Sequence, residues 1–319
     1  MTGSSSSGAG WRRTLAIALL TGIVALNGCD GGGPARNAAA PEGPAVRIVT
    51  LSPHLSELVF AAGAGRQLVG AVEYSDHPAA ARQVPRVGDA FRVDLEAIAT
   101  LRPDLILGWP SGNSQALLDR LRRLGYRVID LEPRTLEDIG GHIRLIGVAA
   151  GSEAAADRAA GDWDRGLSGL RERYSGLRPV SVFYQIAPQP LVTATGSHFI
   201  GEAIRLCGGI NVFESVPGLT PVVSQEAVIA AAPEVIIAAD YEPGPASALT
   251  RAADVSPLQM WRSWPTLPAT GNGGLFVLDP DLLNVPGPRM LRGIEQLCAS
   301  IDAVRGNQGA GPSSPAPQP

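Results

Sequence analysis

The stretch Val93-Asp94-Leu95-Glu96-Ala97-Ile98, followed by Pro103 and the apolar run Asp104–Trp109, decides how this chain folds. Each of its landmarks returns 130 positions later. Val223-Ser224-Gln225-Glu226-Ala227-Val228 is followed by Pro233 and a second apolar run, Glu234–Ala238. Asp94 and Ser224 are residue types whose side chains cap helix N-termini. Glu96 and Glu226 fall in the first turn, where an acid complements the helix dipole. Proline then forbids continuation and the apolar run reads as a buried strand. The pattern predicts helices over Asp94–Leu101 and Glu226–Ala231, each feeding a strand. One unit is built twice, which argues for two similar α/β lobes rather than one long sheet.

The same alternation extends outward from each copy. Upstream, Val46–Leu51 and Leu68–Val72 read as strands around a helix that opens at Ser52-Pro53 and runs through Ala62. Downstream, Ser114–Leu124 is an amphipathic helix stopped by Gly125, Arg127–Leu131 a strand, and Leu136–Ala149 a helix. Glu153–Tyr174 shows no strong turn signal until Gly176 and reads as one long helix between the lobes. The alternation then restarts with strands at Val180–Tyr184 and Leu275–Leu278 and helices at Phe199–Leu206 and Met290–Val304. Strands separated by helices imply parallel sheets with helices on both faces. The expected organisation is an N-terminal α/β lobe over 46–150, an interlobe helix within 151–176 and a C-terminal α/β lobe over 177–305.

The ends of the chain read differently. Trp11-Arg12-Arg13, the apolar run Thr14–Leu26 and Asn27-Gly28-Cys29 make an export signal over 1–28. Its apolar run is short for a membrane span. Leu26-Asn27-Gly28-Cys29 resembles a lipoprotein processing site, which puts lipid on Cys29 and the protein in the periplasm or on the cell surface. Residues 29–45 read as a flexible tether and 306–319 as a disordered tail. Beyond Cys29 only Cys207 and Cys298 remain, either bonded to each other, as an oxidising compartment favours, or as two buried thiols. The 26 basic residues are all Arg, the formal net charge is −4 and no basic face stands out, which excludes nucleic-acid binding.

Ligands of open α/β sheets bind beyond the carboxyl ends of the strands. Tyr74 and the Trp109-Pro110-Ser111-Gly112-Asn113 turn stand there in the first lobe, and Phe183-Tyr184-Gln185 and Asp279–Arg289 in the second. Aromatic faces at those positions suit a large flat ligand. Arg289 either reaches the cleft or pairs with Asp279 or Asp281. Glu96 and Glu226, one on each lobe, suit a two-fold partner with basic pockets. An enzyme is disfavoured. Gly63-Ala64-Gly65 closes a helix instead of following a strand, GxSxG and Walker A motifs are absent, and His54, His77, His142 and His198 lack metal-ligand spacing. Of the four, His77 reads as the one beside the cleft. No cofactor or structural metal is expected.

These segments resemble the helical-backbone class of solute-binding proteins of ABC importers, over roughly Arg47 to Asp302, and within it the binders of vitamin B12 (cobalamin). The likeness is carried by Arg47-Ile-Val-Thr-Leu-Ser-Pro53 with Glu57-Leu58, Tyr74-Ser75-Asp76, Asp94-Leu95-Glu96, Arg102-Pro103-Asp104-Leu105, Gly112-Asn113, Cys207-Gly208-Gly209, Val223-Ser224 with Glu226, and Pro288-Arg289 with Gln296-Leu297-Cys298. The resemblance implies two Rossmann-like lobes on one rigid helix and a Cys207–Cys298 disulfide. It implies that a monomer captures a corrinoid and hands it to a permease dimer driven by ATPase subunits. It also implies salt bridges from Glu96 and Glu226 to permease arginines, and corrinoid contacts from Tyr74 and Trp109. Asn113, Phe91, Tyr184 and Arg289 complete the expected ligand set. The chain departs from the family where Ala90, beside Phe91, and Leu219–Val222 stand in place of aromatics. Haem and ferric-siderophore binders use the same scaffold and are the alternative; a cell-envelope enzyme is the less favoured one.

Overall fold

The first lobe is a four-stranded parallel sheet in the order β2-β1-β3-β4, formed by β1 (Ile48–Thr50), β2 (Leu68–Ala71), β3 (Leu105–Gly108) and β4 (Val128–Asp130). Around it run α1 (Pro53–Ala61), α2 (Leu95–Leu101), α3 (Gln115–Arg123) and α4 (Leu136–Ala150). The computed structural model describes residues 43–239 and 257–307. The expected export segment, Cys29, the tether up to 42 and the tail from 308 onward lie outside those residues. The edges of the folded part are wider than the sequence implies. Ala45 is buried and its N–H donates to the Ala149 carbonyl at 2.7 Å, so the last residues assigned to the tether are docked. The final helix continues to Asn307, two residues into the expected tail.

α5 (Glu153–Tyr174) leads to the second lobe. Its buried residues Ala156, Ala160, Trp163, Leu167, Leu170 and Tyr174 recur every three or four positions and make one apolar stripe. The stripe packs on α4 at close range: a Cβ on Gly147 would stand 2.2 Å from that of Ala156. The Trp163 indole N–H donates to the Leu136 carbonyl at 2.8 Å.

The second lobe contains β5 (Val180–Pro188), β6 (Leu191–Thr193), α6 (Phe199–Leu206), β7 (Gly209–Asn211), α7 (Gln225–Ala231), β8 (Val235–Ala239), α8 (Gln259–Arg262), α9 (Pro268–Gly271), β9 (Leu275–Leu278), α10 (Pro280–Leu283) and α11 (Met290–Asn307). β7, β5, β8 and β9 pair in parallel in that order, which repeats β2-β1-β3-β4. β6 is an addition: it folds back antiparallel on the far end of β5, with Pro188 opposite Leu191. The sequence reading stops β5 at Tyr184 and omits β6 and β7. Both are three-residue strands, too short for a period-2 signal.

The internal repeat extends to backbone detail. The Asp94 carboxylate accepts from the N–H groups of Glu96 and Ala97, and the Ser224 hydroxyl from that of Ala227. α2 and α7 both end on a non-glycine residue in left-handed conformation, Arg102 at φ 46°, ψ 58° and Ala232 at φ 45°, ψ 56°. Such a residue is uncommon, and each stands before the repeat's proline. Asp104 then accepts from the N–H groups of Val46 and Arg47, and Glu234 from that of Ser181, tying each unit to the neighbouring strand.

Successive strand residues face opposite sides of a sheet, and the burial follows that rule in both lobes. Leu105 and Leu107, like Val235 and Ile237, join one core that runs through α4, α5, α6 and α11. Ile106 with Ile98, and Ile236 with Val228, face outward into a separate cluster in each lobe. The shared core is what holds the lobes together. Cys207 at the end of α6 is bonded to Cys298 in α11.

Candidate functional site

A cavity of about 390 Å³ lies between the lobes, beyond the carboxyl ends of β3, β4 and β5. The first lobe lines it with Trp109, Ser111, Glu132 and Pro133. The second contributes Ile186, Ser197, His198, Phe199 and Ile200, with Leu219, Thr220, Asn284 and Pro286. The lining is mainly apolar, with a few polar groups converging on it, as small-molecule sites are built.

Trp109 is clamped in place by its own turn. The Asn113 side-chain oxygen accepts the Trp109 N–H at 2.7 Å, and its amide nitrogen donates to the carbonyls of Leu51 and Ala90, each at 2.9 Å. Asn113 is buried and spends its hydrogen bonds on backbone, so it supports the Trp109 turn from below and is not among the residues that line the cavity. A Cβ at Gly112 would stand 2.0 Å from the Trp109 ring, so only glycine allows this close approach. On another side His54 meets the indole edge-on, with centroids 5.3 Å apart at 87°. His54 is buried. Its Nδ1 shares a hydrogen bond with the Ser52 hydroxyl at 2.7 Å, and its Nε2 has no hydrogen-bond partner. Burial, reinforced by the neighbouring charge of His142, pulls its pKa down to about 3 and keeps the ring neutral. One Glu132 oxygen accepts the Ser111 N–H at 2.8 Å, joining the β4 loop to the Trp109 turn.

The facing wall has its own fixed groups. His198 caps α6 with its side chain: Nδ1 accepts the Ile200 N–H at 3.1 Å. Because a backbone N–H can only donate, the proton of the neutral ring is on Nε2. Burial lowers the His198 pKa to about 4, which keeps that neutral form at pH 7. Tyr184 is fully buried and donates from its hydroxyl to the Asn284 side-chain oxygen at 2.9 Å, so it orients a lining residue without reaching the cavity.

Arg289 is held by a partner the sequence reading does not name. Its Nη2 and Nε donate to the two oxygens of Glu57 at 2.6 and 3.1 Å, a fork that joins the start of α11 to α1 of the other lobe. Burial opposes the guanidinium charge, but the Glu57 hydrogen bonds and charge outweigh it and raise the Arg289 pKa. Asp279 and Asp281 add only longer-range attraction, and Arg289 links the lobes through Glu57 and is not among the residues that line the cavity.

Among the six expected ligand residues, Trp109 lines the cavity. Tyr74 and Phe91 are 76% and 82% exposed and are not among its lining residues. Tyr74 has φ 64°, a strained conformation for a bulky side chain, and it holds the ring out at the end of β2. His77 is exposed and His198 is the cavity histidine, the reverse of the sequence expectation. A histidine cap is outside the usual set, but the polar run Thr195-Gly196-Ser197-His198 ahead of a helix was the available signal. Glu96 and Glu226 are exposed at equivalent places on α2 and α7. The Glu226 carboxyl is held below its ordinary range by its own backbone N–H and the Ser224 hydroxyl.

Residues 48–282 match the family model described as periplasmic binding protein. The chain is 36% identical over 259 residues to the vitamin B12-binding protein of Vibrio cholerae, covering 81% of this chain and 90% of that one. It is 34% identical over 266 residues to the vitamin B12-binding protein of Vibrio vulnificus, covering 82% and 93%. The crystal structure of the periplasmic vitamin B12-binding protein of Vibrio cholerae superposes with a TM-score of 0.73 at 35% identity, covering 82% of this chain and 98% of that one. A periplasmic haem-binding protein from Pseudomonas aeruginosa has a TM-score of 0.65 at 25% identity, covering 85% and 95%.

Proposed function

The chain belongs to the periplasmic binding protein family, and from that premise we propose that it captures cobalamin or a related corrinoid between its lobes and delivers it to the permease of an ABC importer. The observation that carries this reading is the interlobe cavity walled by a clamped Trp109. A fixed indole offers a flat face to a macrocycle without an ordering cost on binding. Tyr74 and Phe91 extend that aromatic surface at the rim, and Asn113 and Tyr184 hold the walls from behind. The cobalamin-binding relatives support the choice of a corrinoid over haem or a siderophore.

Delivery rests on Glu96 and Glu226. They are exposed and carried by repeated helices, so they present the same acid twice to a two-fold permease with its ATPase subunits. The protein works as a monomer, with lobes at 46–150 and 177–305 on the 151–176 helix. It is exported by residues 1–28 and anchored through lipid on Cys29. Cyanocobalamin added to the purified protein is expected to quench tryptophan emission at micromolar concentration or below, and Trp109→Phe is expected to lose most of that quenching. Quenching that is unchanged in the variant would place the ligand away from Trp109.

A further inference from the structure

We infer that Glu132 and His198, brought to the cavity by opposite lobes, read the fringe of the ligand and select macrocycles bearing uncharged carboxamides over those bearing carboxylates. The inference rests on the corrinoid reading and names the ligand class within it.

The two residues offer complementary and fixed chemistry. Glu132 is an acceptor. One oxygen is pinned by the Ser111 N–H, and Oε1 takes no hydrogen bond among the described residues. His198 is a donor. Its Nδ1 is occupied by the Ile200 N–H, so Nε2 carries the proton. For Nε2 to ligate a metal, that proton would have to move to Nδ1, where it would meet the Ile200 N–H head-on. His198 therefore serves as a hydrogen-bond donor and not as an axial ligand. A primary amide supplies an acceptor for His198 and donors for Glu132. A carboxylate supplies acceptors alone and meets Glu132 as a like charge. No Arg stands among the described lining residues to offset that repulsion, and the apolar walls screen it less than water does. Burial keeps His198 neutral, so it provides no compensating charge either.

The test compares cobinamide, fringed with amides, and cobyrinic acid, its carboxylate counterpart, each titrated as the dicyano form against the full protein. The wild type is expected to prefer cobinamide by about 100-fold or more, and Glu132→Gln to shrink that preference by about tenfold, chiefly through tighter binding of the acid. Gln keeps the oxygen that accepts from Ser111, and an unchanged melting temperature verifies the fold. A preference that stays within twofold of wild type in Glu132→Gln overturns the inference while leaving corrinoid capture intact. Failure of both corrinoids to bind the wild type overturns capture and inference together. Independently, nitrogen chemical shifts of the His198 ring at pH 7 are expected to report the Nε2–H tautomer. An Nδ1–H tautomer or an imidazolium contradicts the assignment.

Discussion

The two lobes are alike where they face outward and unlike where they face each other. α2 and α7 share their caps, their left-handed ends, their proline exits and an exposed glutamate. The sheets share strand order and the alternation of shared and private core. At the cleft the likeness ends. The first lobe brings Trp109 over His54 with Glu132; the second brings His198, Phe199 and Asn284, and adds β6. A two-fold partner requires repeated contacts, whereas a single asymmetric ligand does not. The repeat therefore persists on the surface assigned to docking and disappears from the surface assigned to the ligand.

The largest expected departure from symmetry is in stability. The disulfide links α6 to α11 and closes 91 residues, and among the described residues the first lobe has no such link. The chain-entropy account gives it about 4–5 kcal/mol. Cys207→Ser with Cys298→Ser is expected to lower the unfolding free energy by about 4–5 kcal/mol, with hydrogen exchange rising first in α6 and α11. Loss spread evenly over both lobes would show that the shared core, not the crosslink, sets the order of opening.

Acid is expected to act on a similar scale, and through the cleft walls. Each lobe brings one neutral histidine there, His54 with a pKa of about 3 and His198 with about 4, both held down by burial from 6.5. Between 6.5 and those values the unfolded chain binds protons that the folded chain does not. Stability is therefore complete above pH 6.5 and declines as the pH falls toward 3. For His54 the loss is roughly 5 kcal/mol, at about 1.4 kcal/mol per pKa unit. Chemical denaturation across that range, repeated on His54→Gln, checks it. An equally steep profile in the variant assigns the acid sensitivity elsewhere.

The smallest effects test the symmetry itself. Glu96→Arg and Glu226→Arg are each expected to reduce corrinoid uptake in reconstituted vesicles by about tenfold, at one exposed charge pair apiece. Ligand affinity is expected to stay within about twofold. Unequal losses would mean that the repeat does not extend to the partner, and loss of ligand affinity would move these residues into the cleft.

Much of this frame was legible in the sequence because it is local. Caps, first-turn acids and helix-ending prolines act within a few residues, so Asp94, Ser224, Pro103 and Pro233 place their elements directly. Glu153–Tyr174 and Phe199–Leu206 appear with the ends read from the sequence. What escaped is set by tertiary context. Arg289 and Glu57 are 232 residues apart, and no periodicity pairs them. Asn113 stands beyond the end of β3, as expected for a ligand contact, and Tyr184 lies in the middle of β5, but their direction into the protein depends on the Leu51, Ala90 and Asn284 groups that receive them. His198 escaped because its role comes from the turn before α6, not from spacing to other histidines.

The account stands most directly on equilibrium titration of the purified protein with cyanocobalamin and, in parallel, with haemin. One cobalamin bound per chain at micromolar concentration or tighter, with haemin weaker, is the predicted result. Tight haemin binding with no cobalamin binding at micromolar concentration would contradict it.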